Sequence, residues 1–261
     1  MEQNNSNVLT KSLSKTYKKI THAQGVYLYD EDGRRYMDFG AGLAVTNIGN
    51  GVKEVCDAIA KQVYEVTYLN GGAFTSAVRE ELASNIIKLA PEGMERVFFC
   101  SGGSEAVESM AKIARQYQIE MGRPSKYKII SRWQSYHGNT FGTLSLGGRP
   151  SWRCRYDNLL LHMPHIAQCN CYRCPYGLER CSCSVPCAEE LERVIKYEGA
   201  ESVAAFVLEP VTGTTATATV PPVEYMKRIR EICDKYDVLM CCDEVITGLG
   251  RTGKNFAVDH F

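Results

Sequence analysis

Apolar positions along this chain fall into short uninterrupted runs separated by stretches with helical spacing. Residues 203 to 208 (VAAFVL) and 238 to 242 (VLMCC) are apolar runs of strand length, the pattern of strands covered on both faces. Residues 96 to 100 (RVFFC) and 127 to 131 also read as strands, and a further short strand is expected near 159 to 162. Between these runs the pattern predicts helices over 105 to 121, 188 to 197 and 223 to 236, with a helix or turn reaching Leu146. Nearer the start, Val55, Ile59, Val63 and Val66 recur at spacings of three and four, which predicts a helix from 52 to about 65. A second helix over 76 to 89 stops before Pro91, because a residue preceding proline disfavours helical geometry. Residues 25 to 39 (GVYLYDEDGRRYMDF) alternate on either side of Asp30-Glu31-Asp32-Gly33, a β-hairpin pattern. Residues 41 to 51 are glycine-rich, and residues 1 to 20 carry little pattern, as in an arm that needs a partner surface. Strands alternating with helices predict an α/β fold built on a mostly parallel, doubly wound sheet.

Composition narrows the function. The 261 residues hold 30 Lys+Arg against 30 Asp+Glu, a balance that argues against a nucleic-acid or membrane surface. The first residues are polar, and no apolar run approaches the ~20 residues of a membrane helix, so a cytoplasmic protein is expected. In that setting the twelve cysteines are expected to be reduced thiols, metal ligands or core residues rather than disulfides.

Candidate chemistry gathers at the predicted strand ends. In parallel sheets ligands bind just beyond the carboxyl ends of the strands. Asp243 follows the run 238 to 242, and Glu209 follows 203 to 208. Carboxylates are seldom left at such positions without a partner. In CSGGSEAVESMAKIAR (100 to 115) a strand passes through Ser-Gly-Gly-Ser into a helix, so backbone N–H groups and the helix N-terminus could cradle a phosphate. An ordinary tight strand-to-helix turn gives the same pattern. Tyr136-His137-Gly138 puts an aromatic ring after a strand, where it could stack on a flat ligand or simply pack. Two glycine motifs are decoys. Gly248-Leu-Gly250-Arg-Thr-Gly253 fits G-x-G-x-x-G without the helix and distant acid of a dinucleotide site, and Gly248 to Lys254 fits a P-loop except that Asn255 stands where Ser or Thr belongs. A phosphate cradle, an aromatic plate and an acid able to face a ring nitrogen together suit pyridoxal phosphate.

Five motifs in order, GVYLYDEDGRRYMDF, FFCSGGSEAVESMAKIAR, YHGNTFGTLSLGG, FVLEPV and CCDEVITGLGRTG, resemble the class III, ω-amino-acid type aminotransferases of the fold-type-I pyridoxal-phosphate enzymes. The resemblance implies that Gly103 and Ser104 hold the phosphate, that Tyr136 stacks on the ring with His137 beside it, and that Asp243 pairs with the pyridine nitrogen. Val245 would press the other ring face, and Glu209 would sit near the ring and the substrate end. It implies an incomplete large domain over 66 to 261, carrying a cysteine-rich insertion at 165 to 187, and a small-domain part formed by the arm and hairpin over 1 to 65. The Schiff-base lysine of the family is expected beyond Phe261, because Lys254 is too close to Asp243 to fill that role. The chain therefore reads as the N-terminal portion of an enzyme that moves an amino group from an amino donor to a 2-oxo acid acceptor, a homodimer in its full-length form. An aminomutase, racemase or decarboxylase on the same scaffold is the alternative, as is an inert fragment or a subunit awaiting a complementary chain. Val107 and Asn50 stand where Asn and His are common in the family, which leaves the cofactor reading intact and blurs the substrate.

Within the insertion, Cys169, Cys171, Cys174, Cys181, Cys183 and Cys187 fall inside nineteen residues, with His162 and His165 just upstream. Cys171-x-x-Cys174 is a ligand spacing for zinc or an iron-sulfur cluster. A second C-x-x-C is missing, so the expectation is reduced thiols and no metal.

Overall fold

The computed structural model describes residues 6–10, 12, 14–180 and 183–261, and the chain divides into two compact units, Met1–Arg79 and Glu80–Phe261. In the first unit, β1 (Ile20–Gln24), β2 (Tyr27–Asp30) and β3 (Arg35–Met37) form an antiparallel sheet in that order. Buried Asp30 sets the β2–β3 turn: its carboxylate accepts from the backbone N–H groups of Asp32 and Arg34 and, at 2.7 Å, from the Tyr36 hydroxyl. The hairpin expected over 25 to 39 is thus present, with β1 added to its edge. A single turn, α1 (Ala41–Ala44), and the helix α2 (Lys53–Glu65) follow. Helix α3 (Ala77–Leu89) contains the division between the units.

The second unit is an α/β layer structure. Helix α4 (Gly103–Glu120) precedes β4 (Lys128–Arg132), which is followed by α5 (Phe141–Leu146), α6 (Pro150–Arg153) and β5 (His165–Ile166). Then come α7 (Pro186–Glu198), β6 (Val203–Leu208), α8 (Val223–Lys235) and β7 (Leu239–Cys242). The strands form one sheet in the order β5-β4-β6-β7, with every pairing parallel. All six residues of β6 are buried. Phe206 and Leu208 pack with Leu191 and Ile195 of α7 and Ile229 and Ile232 of α8. Their neighbours Ala205 and Val207 join a separate cluster with Val107 and Ala114 of α4. The strand therefore needs apolar residues at every position, since helices cover both faces, and each large side chain so buried contributes roughly 1.5–3 kcal/mol.

Two predicted strands are corrected. Residues 96–100 carry no strand, because the segment has no ladder partner among the described residues and Phe98 is 66% exposed. The strand expected near 159 to 162 lies further on, at His165–Ile166, where Ser131 pairs with His165 and Arg132 with Ile166. Leu159 and Leu161 stay exposed, whereas Ile166 is fully buried against the core, so burial selects the later residues.

Candidate active site

Three of the parallel strands deliver chemistry at their carboxyl ends. After β4 the chain reaches Tyr136 and His137, after β6 comes Glu209, and after β7 comes Asp243. The start of α4 adds Gly103 and Ser104. A cavity of about 200 Å³ is lined by Gly103, Ser104, Tyr136, His137, Glu209, Asp243 and Val245, so every site residue expected from the sequence borders one space. Gly138, Val211 and Ile246 complete its wall. Two larger concavities, about 600 and 1000 Å³, lie beside the cysteine-rich segment, and neither includes a strand-end acid.

Asp243 is held by two hydrogen bonds that fix its carboxylate. Its Oδ1 accepts from the Val245 N–H at 3.1 Å, and its Oδ2 lies 2.8 Å from His137 Nδ1. A carboxylate only accepts, so this bond places an imidazole proton on Nδ1. His137 Nε2 is buried and has no partner among the described residues. Asp243 is itself tied to the sheet, its N–H donating to Leu208 O at 2.8 Å.

Glu209 is oriented by a second set of contacts. Its Oε1 accepts from Gly213 N–H at 3.1 Å and its Oε2 from Tyr136 N–H at 3.4 Å. Arg132, fully buried at the end of β4, donates from Nη2 to the Glu209 carbonyl at 2.6 Å and to Thr212 Oγ1 at 3.3 Å. Burial pushes the Glu209 carboxyl above the usual carboxylate range, with His137, the Gly213 N–H and Arg132 opposing that rise. An acid whose folded pKa is raised costs no stability below its unfolded pKa and costs most above the folded one. Glu209→Gln is therefore expected to gain stability relative to wild type as pH rises from about 4.5 through neutrality. Denaturant midpoints of both proteins across that range check it, and a difference that is flat with pH would contradict the assignment.

Other contacts set the walls. Ser104 Oγ accepts from Asn139 N–H at 3.0 Å, which ties the start of α4 to the loop bearing Tyr136 and His137. A Cβ on Gly103 would lie 3.1 Å from Val245 Cγ1, so only glycine lets these two walls approach without displacement. The Tyr136 ring is braced edge-on by Trp152, with centroids 5.3 Å apart. The paired acids Asp243-Glu244 part company. Glu244 accepts from Val258 N–H and Ala257 N–H at 3.0 Å each, and so serves a 3-10 turn rather than the cavity. No helix opens within residues 245 to 256, as the decoy reading of the glycine motifs requires.

Sequence reasoning missed Arg132 and the His137–Asp243 bond. The first carried one signal, a charged residue at the end of an apolar run. In the insertion, no three His, Cys, Asp or Glu side chains are grouped to hold a metal among the described residues, and Cys181 lies outside those residues. His165 is pushed down to about 4 by burial and by neighbouring Arg153.

A family model described as Aminotransferase class-III matches residues 9–261. The uncharacterized aminotransferase YodT of Bacillus subtilis (strain 168) is 38% identical over 256 residues, covering 98% of this chain and 57% of the relative. The putrescine–pyruvate aminotransferase of Pseudomonas aeruginosa is 39% identical over 245 residues, covering 93% of this chain and 53% of that enzyme. Among solved structures, the ω-transaminase from Pseudomonas jessenii in complex with PMP superposes with a TM-score of 0.89 at 34% identity, over 94% of this chain and 54% of that one. The chain spans a little over half the length of these relatives.

Proposed function

Because the chain belongs to the class-III aminotransferases, we propose that the protein moves an amino group between an amino acid or ω-amino compound and a 2-oxo acid, with pyridoxal 5'-phosphate in the strand-end cavity. When bound, that cofactor supplies an electron sink for bonds at the carbon carrying nitrogen. Asp243 would face the pyridine nitrogen and keep it protonated, and His137 would hold the Asp243 carboxylate in place through the 2.8 Å bond. Tyr136 and Val245 would cover the two ring faces, Gly103 and Ser104 would take the phosphate at the start of an 18-residue helix, and Glu209 would border the substrate end. The observation that carries this reading is the convergence on one cavity of residues from four separate chain segments.

The same reading assigns residues 1 to 65 to the small domain and 66 to 261 to the cofactor-binding large domain. It places the Schiff-base lysine beyond Phe261, which the half-length coverage of the relatives supports. It also carries a homodimer, a cytoplasmic location and no nucleic-acid or membrane partner, drawn from the family and the balanced charge.

Nitrogen transfer tests the reaction. With the full-length protein, a ¹⁵N-labelled amino donor and an unlabelled 2-oxo acid, the label is expected in the amino acid formed from the oxo acid. Release of carbon dioxide, or inversion of the donor with its nitrogen retained, would point instead to a decarboxylase or racemase. A smaller effect tests the ring contact. Tyr136→Ala is expected to weaken pyridoxal phosphate binding roughly tenfold, the scale of one lost aromatic contact. Equilibrium dialysis reads it, and unchanged affinity would remove Tyr136 from the site.

A further inference from the structure

The cavity of about 1000 Å³ also lies at the carboxyl edge of the parallel sheet. Trp133 follows β4, Gln168 lies just past β5, and Thr215 and Thr217 belong to the loop after β6. Ligands of parallel sheets bind at this edge. The cofactor cavity occupies the ends of β4, β6 and β7, and this one the ends of β5, β4 and β6, so two loops serve both. The loop after β4 carries Trp133 and Gln134 here and Tyr136 there, and the loop after β6 carries Thr215 here and Glu209 there. Thr215 Oγ1 donates to Gln134 O at 2.5 Å and ties the two loops together.

The walls are those of a ligand site. Gln168 is only 9% exposed, and its Nε2 has no hydrogen-bond partner among the described residues. A buried amide left unpaired costs stability, and a bound group that accepts from it removes the cost. Gln134 and Thr217 hold left-handed backbone, at φ 59° and 56°. That conformation is costly for a β-branched threonine, and such strain gathers at ligand sites. Asn170 Oδ1 accepts from the N–H groups of Tyr172 and Arg173 at 3.1 and 2.9 Å, which fixes the turn carrying both side chains.

The lining also selects a chemistry. Arg173 is the one charged side chain among the described lining residues, and it forms no ion pair with any described residue. One unopposed positive charge and one neutral donor suit a single negative charge, and the planar guanidinium matches a carboxylate. His165 covers one face of Trp133, with centroids 4.4 Å apart, yet Trp133 stays 42% exposed and offers a flat apolar surface. We propose that this cavity binds an aromatic monocarboxylate, with the ring against Trp133 and the carboxylate taken by the Arg173 guanidinium and the Gln168 amide. Binding there needs neither the cofactor nor amino transfer, although the occupant sits against both loops that shape the cofactor cavity.

Naphthoate is the probe. Isothermal titration of the full-length protein, with pyridoxal phosphate at saturation, is expected to show a single saturable site per chain. Arg173→Gln and Gln168→Leu are each expected to weaken naphthoate at least about fivefold, and uncharged naphthalenemethanol to bind at least about tenfold more weakly than naphthoate. The proposal is overturned by the absence of saturable binding, by wild-type affinity in either variant, or by displacement of naphthoate by pyridoxal phosphate, which would put the probe in the cofactor cavity. Saturable naphthoate binding by a protein that takes up no pyridoxal phosphate would support this site while contradicting the proposed function. Should Gln168→Leu fail to fold, Arg173→Gln and the uncharged probe decide.

Discussion

Asp243→Asn is expected to lower kcat/KM for amino transfer by the full-length protein about a hundred- to a thousandfold, the scale at which a single group stabilising transition-state charge is lost. Asparagine has the same shape and can accept one of the two contacts that now hold the carboxylate, from His137 Nδ1 or from the Val245 N–H, with its NH2 group at the other position. The substitution therefore removes the charge together with one of the two accepting contacts, at almost unchanged side-chain volume. Without that charge a pyridine nitrogen in the cavity has nothing to keep it protonated, and the electron sink weakens. Steady-state kinetics at saturating cofactor measures the effect, and a loss below threefold would mean that Asp243 does not face the ring nitrogen.

The second large effect concerns stability. Gly148→Ala is expected to cost about 3 kcal/mol, the upper part of the range for forcing atoms into a filled site. A Cβ at Gly148 would lie 2.1 Å from Arg132 O and 2.5 Å from Trp133 Cα, and backbone cannot yield as a side-chain tip can. The loop bearing Tyr136 and His137 is closed here, by Gln134 N–H donating to Gly148 O at 2.8 Å and Gly148 N–H to Ser135 O at 3.1 Å. Opening that closure displaces Tyr136 and His137, so cofactor affinity should fall with stability. Gly102→Ala serves as the contrast. Gly102 sits in extended backbone with nothing near its absent Cβ, and its replacement should stay within about 1 kcal/mol. Urea denaturation of the two variants measures the gap, and equal midpoints would refute the packing argument.

What the sequence made legible follows from what local pattern encodes. The run 203 to 208 announces a doubly covered strand because helices on both faces exclude polar residues from it. Glu209 and Asp243 could be placed at one sheet edge because parallel strands put their carboxyl ends together. Residues 96 to 100 have the same apolar composition and form no strand, since a strand also needs a neighbour and composition does not supply one. The His137–Asp243 bond joins residues 106 positions apart, and no local periodicity reports such a contact. Arg132 carries in the sequence only the signal of a charge at the end of an apolar run. Its importance lies in its burial and in the Glu209 carbonyl it holds, both of which exist only after β4 and β6 pair. The insertion is the opposite case. Its cysteines are conspicuous by spacing, yet Cys169 and Cys187 lie buried in the hydrophobic cluster with α7 and α8, a burial that spacing does not report.

The central claim is that Asp243, fixed by His137, meets the pyridine nitrogen of bound pyridoxal phosphate. The ¹⁵N chemical shift of ring-labelled cofactor bound to the full-length protein reads that protonation state directly. The wild-type shift is expected in the protonated range, moving to the unprotonated range in Asp243→Asn. An unprotonated nitrogen in the wild-type protein, or a shift that Asp243→Asn leaves unchanged, would contradict the account.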